Sequence, residues 1–224
     1  MKIALQFLAS SVAGLVFFGL GLFLPAGTFD YWQAWVFIGV FMACTMLPNL
    51  YLAATNPAAL QRRMNAGPTA ETRPLQRIII SLTVVLVVAV IVVSALDHRF
   101  GWSAVPLFVI VAGQVMVAVG LLLAQLVVMQ NNYASANITV EADQPLVSTG
   151  LYGLVRHPMY FGALIMMVST PIALGSLWGL AVMLLAVPLV ATRISDEEKL
   201  LNEQLDGYRE YTTRVGSRLI PYVW

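Results

Sequence analysis

Four stretches of this chain, roughly 3–24, 32–54, 77–96 and 104–129, are almost purely apolar, and two shorter ones follow at 159–174 and 177–193. A helix that crosses the hydrocarbon core of a bilayer needs about 20 apolar residues. Within that core every backbone N–H and C=O must be paired internally, which leaves helices or closed barrels. Unbroken apolar runs, rather than short alternating ones, select helices. Composition agrees: 59% of residues are hydrophobic and 10% charged, where soluble domains carry about 25% charged residues. The expected fold is therefore all-α, a polytopic integral membrane bundle of about six hydrophobic segments. A net charge of +1 offers no basic excess for nucleic acid.

Met1-Lys2 followed by an apolar run has the look of a signal peptide. The run to Leu24 is long enough to span, so it is read as a retained first helix. Cys44 is the single cysteine, which excludes an internal disulfide. His98 and His157 fall in separate loops, so no zinc set is expected.

The last two runs are separated only by Gly175-Ser176 and contain Pro171 and Pro188. They predict a tight helical hairpin buried among other helices, where neighbours satisfy the freed backbone groups. Placing the loop with Arg62, Arg63 and Arg73 in the cytoplasm puts both termini and the loop 130–158 there too. Of twelve Lys and Arg residues only Arg99 then falls outside, in agreement with the positive-inside rule. Tyr31, Trp32, Trp35, Phe100 and Trp102 read as interfacial anchors. The chain divides into membrane helices over 1–130 and a polar-looped core over 131–224. In the latter, Leu201, Leu205, Tyr208 and Tyr211 recur at helical spacing, which predicts an amphipathic helix over 195–213.

Two polar segments face each other in this arrangement. Pro158 suits the first position of a helix and keeps His157 out of helical conformation, so His157 is the expected N-cap. A helix start carries partial positive charge, and Arg156 beside it adds a fork suited to carboxylates. Glu197 and Glu198 return to the same level if the hairpin forms. Adjacent helical residues point about 100° apart, so one glutamate is expected to face the pocket and the other to turn away. Taken alone, the Arg-His pair serves lipid headgroups equally well, and the glutamates read first as favourable charges at a helix start. The charge pattern fits S-adenosylmethionine (SAM), any amino acid or a zwitterionic headgroup.

The segment "LVSTGLYGLVRHPMYFG", followed by "RISDEE", "GYREYTTRV" and "RLIP", resembles the isoprenylcysteine carboxyl methyltransferase family, which is grouped with membrane phospholipid methyltransferases. The family pattern is Arg-His-Pro-x-Tyr and then, beyond a hydrophobic hairpin, Glu-Glu. Here these are Arg156, His157, Pro158, Tyr160, Glu197 and Glu198. The resemblance covers about 131–224. "NNYAS" at 131–135, "PIALGSLWG" at 171–179 and "LIPYVW" at 219–224 look like a bacterial branch, and "NPAALQRRM" at 56–64 is similar to it. The family usually reads Gly-Pro-Tyr-Arg before this element, whereas this chain has Gly150-Leu151-Tyr152-Gly153. Acceptor preference is therefore not carried over.

The resemblance implies an integral membrane enzyme, a SAM-dependent methyltransferase acting on a lipophilic or lipidated acceptor. Its expected place is a bacterial inner membrane among membrane lipids. The implied cofactor-binding residues are Val147, Gly150, Leu151, Tyr152, His157, Tyr160 and Glu197; the implied catalytic ones are Arg156, Tyr160, Glu197 and Glu198. No G-x-G-x-x-G opens a helix after a strand, so SAM is expected to bind without a Rossmann domain. Phospholipid N-methylation and thiol S-methylation remain open within the same fold. A small transporter or sensor is the alternative of another class. It is disfavoured because no charged residue falls at the middle of an apolar run.

Overall fold

The apolar runs satisfy their backbones as helices. The computed structural model describes residues 2–64, 67–134, 137–141 and 143–224; Met1, Asn65, Ala66, Ala136, Ala142 and Ser135, the last residue of the 131–135 motif, lie outside them. Among the described residues every regular element is helical. Helix α1 spans Lys2–Ala26, α2 Trp32–Thr55, the short α3 Pro57–Met64, α4 Pro74–Phe100 and α5 Leu107–Gln130. A 3-10 turn at Gly150–Gly153 precedes α6 (Pro158–Ala173), α7 (Leu177–Met183), α8 (Ala186–Gln204) and α9 (Tyr208–Arg214).

Five stretches are long and apolar enough to cross a membrane: Gln6–Ala26, Trp32–Thr55, Pro74–Phe100, Leu107–Gln130 and, over α7 and α8 together, Leu177–Gln204. Leu8, Leu15 and Leu24 on α1 and Ile78, Leu82 and Val85 on α4 are exposed, a surface suited to lipid. Helix α6 has 16 residues, about 24 Å at 1.5 Å per residue. That is short of the roughly 30 Å hydrocarbon core, and α6 is sheltered along α5, the most extensive helix pairing in the molecule. Small residues allow that approach: a Cβ added to Gly120 would stand 2.6 Å from the Gly162 carbonyl oxygen.

The hairpin closes at Gly175, whose φ of +76° suits glycine. Ser176 caps α7 by accepting from Gly179 N at 2.8 Å. The apolar run 177–193 is two helices rather than one. Pro188 has no N–H for the Leu184 carbonyl one turn earlier, and its ring crowds that carbonyl. The chain responds with tight turns at 184–185, Leu185 N bonding Val182 O. The amphipathic stretch is divided too. Helix α8 ends at Gln204, and Gly207, at φ +79°, starts α9.

The loops joining α1 to α2 and α4 to α5, with the α6–α7 turn, gather at one end. There Asp97 is buried and accepts from Ser103 N at 2.7 Å, Ser103 Oγ at 2.6 Å and Ser176 Oγ at 2.6 Å. Trp32, Trp35, Phe100 and Trp102 are exposed at this end, as anchors should be. Tyr31 is not an anchor. It is fully buried, donates to the Leu174 carbonyl at 2.8 Å and stacks on His98, so its hydroxyl pins the hairpin turn to α2. Gln114 joins helices by donating to the Gln33 and Ala173 carbonyls.

Candidate active site

At the opposite end, the loop 131–147, the start of α6, the second half of α8 and α9 surround one cleft. Its empty space is about 810 Å³, open mouth included.

The start of α6 is fixed by the chain's last residues. Pro158 occupies the first helical position and His157 the N-cap, with no side-chain cap. The N–H groups of Arg156 and His157 donate to the carbonyls of Ser217 and Arg218, at 3.0 and 2.9 Å. The first-turn N–H groups of Met159 and Tyr160 have no carbonyl one turn earlier to bond, and both residues line the cleft.

The adjacent glutamates part company. Glu198 is buried and gathers Arg156 Nε at 2.7 Å, Arg218 Nε at 2.8 Å and His157 Nε2 at 3.3 Å. Arg156 also donates through Nη1 to the carbonyls of Val215 and Gly216. Arg156 therefore touches the cleft with a guanidinium engaged with the C-terminal segment. Glu197 turns to the cleft and accepts the Tyr160 hydroxyl at 2.7 Å.

Behind Tyr160 lies a buried polar network. Arg193 donates to Tyr160 Oη at 2.8 Å, Gln76 Oε1 at 2.9 Å and Glu71 Oε1 at 3.1 Å. Asp196 accepts from Arg73 Nη2 at 2.8 Å and from Gln76 Nε2 at 2.5 Å. These bonds tie α8 to α4 and to the loop before it.

Of the residues singled out in the sequence, Val147, Tyr152, Arg156, His157, Tyr160 and Glu197 line the cleft. Gly150 and Leu151 stand behind it. Gln130, at the end of α5, donates to the Thr149 carbonyl at 2.5 Å and accepts Leu151 N at 3.1 Å. Gly150 holds φ +59°, and an added Cβ there would collide with the Gln130 side chain. Asn131 donates to Tyr152 Oη at 3.0 Å. Tyr211 donates to the Tyr152 carbonyl at 2.7 Å.

The cleft wall also includes Ile138, Leu146, Leu201, Leu205, Tyr208 and Tyr211. The helical spacing of the last four marked an apolar face; the structure turns that face onto the cleft. Burial and the nearby Glu198 and Glu197 carboxylates push the Tyr208 hydroxyl well above its ordinary range, so it stays a donor. Its oxygen is buried and has no hydrogen-bond partner among the described residues. Such groups are rare, because leaving one unpaired costs about 1–3 kcal/mol. Among the described residues no group of three or more His, Cys, Asp or Glu is placed to hold a metal ion.

Comparison with known proteins bears on this segment. A solved structure of the eukaryotic intramembrane Ras methyltransferase ICMT (isoprenylcysteine carboxyl methyltransferase) shares the fold, with a TM-score of 0.54 over 99% of this chain and 97% of that one, at 17% identity. A 90-residue stretch, 39% of this chain, is 36% identical to the Delta(14)-sterol reductase TM7SF2 of Mus musculus, and covers 22% of that protein's length. Residues 107–203, which supply Arg156, His157, Tyr160, Glu197 and Glu198, match the model of the isoprenylcysteine carboxyl methyltransferase (ICMT) family.

Proposed function

We propose that this chain is a SAM-dependent methyltransferase that modifies a lipophilic acceptor of the isoprenylcysteine carboxylate type. The observation that carries the reading is the junction of the family's segment with the cleft: residues 156–160 and Glu197 reach one space from two elements. The residues fit a donor with a carboxylate at one end and cationic groups elsewhere. The start of α6 is electropositive, Glu197 is the facing carboxylate, and the unpartnered Tyr208 hydroxyl calls for an acceptor atom.

When bound, SAM supplies a methyl group on a cationic sulfonium. The chain's part is to bind, orient and exclude water. His157 and the N–H groups of Met159 and Tyr160 take the amino-acid carboxylate. Glu197 takes the ribose hydroxyls or the ammonium group. Val147, Tyr152, Leu201 and Leu205 give the nucleoside an apolar wall. Arg156 and Glu198 act together as the clasp that holds 215–218 under the cleft. A carboxylate acceptor needs no base; an amine or thiol must lose a proton, and Glu197 or His157 would take it. The basic residues support a cytoplasmic position for the cleft, in keeping with the bacterial inner membrane expected from the sequence.

The sterol reductase match favours a second reading, reduction of a lipid at the same cleft. A phosphate-rich dinucleotide would need cations there, and the one arginine among the described residues that line the cleft, Arg156, is held by Glu198 and two carbonyls. That argues for SAM. Calorimetric titration of the purified protein with SAM and with a reduced nicotinamide dinucleotide separates the two. Saturable binding of SAM alone is expected; binding of the dinucleotide alone would overturn the proposal.

A further inference from the structure

We infer that Arg193 is a positioning residue: by donating to the Tyr160 hydroxyl oxygen it directs that hydroxyl's proton onto Glu197, and so orients the carboxylate that faces the cleft. The inference rests on the donor-binding role proposed above for Glu197. Arg193 itself is buried and does not line the cleft. It stands one helical turn before Glu197 on α8, so the two side chains share a face. Both reach the same atom, Tyr160 Oη, Arg193 Nε at 2.8 Å and Glu197 Oε2 at 2.7 Å.

A tyrosine hydroxyl has one proton and two lone pairs. A guanidinium has only donors, so its approach occupies a lone pair and leaves the proton to Glu197. The order of donors is thereby fixed: Arg193 to Tyr160, Tyr160 to Glu197. The guanidinium in turn is held in one plane by Gln76 and Glu71 at its other two nitrogens. Glu71, buried on the loop before α4, also accepts Ile138 N at 3.4 Å, and Ile138 is in the cleft wall. One arginine thus sets a carboxylate on one side of the cleft and steadies backbone on another.

Lysine keeps the charge beside Glu71 but lacks the planar fork that reaches three partners. The test compares Arg193→Lys, Tyr160→Phe and the double variant. For Arg193→Lys, KM and Kd for SAM are expected to rise about tenfold, the scale of one hydrogen bond to a charged group, with kcat within about threefold. Tyr160→Phe should behave alike, and the double variant should be no weaker than Tyr160→Phe alone, because Arg193 acts through that hydroxyl. Multiplicative losses, unchanged SAM affinity in Arg193→Lys, or a loss of kcat at constant KM would overturn the inference. A second readout needs no donor. In an experimental structure of Arg193→Lys, Tyr160 Oη and Glu197 should separate beyond hydrogen-bond reach; an unchanged pair would overturn the inference. Failure of the wild-type protein to bind SAM would instead overturn the function proposed above, and this structural readout would still decide the role of Arg193.

Discussion

Glu197 and Glu198 are neighbours in the chain and serve different partners: Glu197 accepts the Tyr160 hydroxyl at the cleft, and Glu198 holds Arg156 and Arg218. The two should therefore fail differently. Glu198→Ala leaves the buried Arg156 without its carboxylate, a loss of about 3 kcal/mol. A lower unfolding midpoint in detergent, with the C-terminal segment open to protease, is the expected result. Glu197→Gln should keep the wild-type midpoint and lose SAM affinity.

Tyr208 gives a prediction of unusual sign. Its buried oxygen has no partner among the described residues, so Tyr208→Phe should leave the free protein as stable as the wild type, or more so by about 1 kcal/mol. SAM affinity should fall about tenfold, because the ligand loses its hydroxyl donor. Thermal unfolding with and without SAM checks both halves. Equal SAM-induced shifts in the two proteins would remove Tyr208 from the site.

The α5–α6 interface depends on missing side chains. A Cβ on Gly120 meets the Gly162 carbonyl at 2.6 Å, and one on Gly162 meets the Gly120 carbonyl at 2.8 Å. Backbone is on the far side in both cases, so relief requires the helices to part. Gly120→Ala should destabilise the protein by about 1–3 kcal/mol, read as a lower unfolding midpoint. Gly14→Ala, where nothing lies within 4 Å of the added carbon, is the control that should change little.

The loop over the cleft is tied down by a pair with a defined pH dependence. Arg62 donates twice to Glu141, at 2.6 and 2.9 Å, and holds that carboxyl below its ordinary range. A lowered folded-state value means that the tie is fully present above the usual carboxylate range and is lost as pH falls through the lowered value. The pair is exposed, so global stability should change little. The protection factors of the Ile138 and Thr139 amides, taken against the intrinsic exchange rate at each pH, should fall more steeply on acidification than those of α5. Glu141→Gln should abolish the extra dependence.

Much of this architecture was legible because lipid imposes a strong constraint. The runs 32–54 and 104–129 became α2 and α5 within a few residues, since an apolar span has to close its own backbone bonds. Pro158 fixed the start of α6 for an equally local reason. What escaped was carried by long-range pairing. Glu71 meets Arg193 across more than a hundred residues of chain, and nothing near either residue marks the other. Tyr31 read as a membrane anchor because it sits beside Trp32 and Trp35; its partner is a carbonyl on α6–α7. Gly150 and Leu151 belong to the cofactor set that the resemblance implies, and nothing near them in the sequence marks their tie to Gln130 at the end of α5. Leu201, Leu205, Tyr208 and Tyr211 showed their apolar face plainly, but spacing alone does not say whether such a face meets lipid, core or ligand.

Methyl transfer itself tests the account most directly. Purified protein would be incubated with methyl-labelled SAM and a prenylated cysteine acceptor in lipid, and the product treated with base. SAM-dependent label is expected in the acceptor, released by base as volatile methanol, and absent with Glu197→Ala. Base-stable label would contradict the carboxylate acceptor, and no label with prenylcysteine, phospholipid or thiol acceptors would contradict the methyltransferase itself.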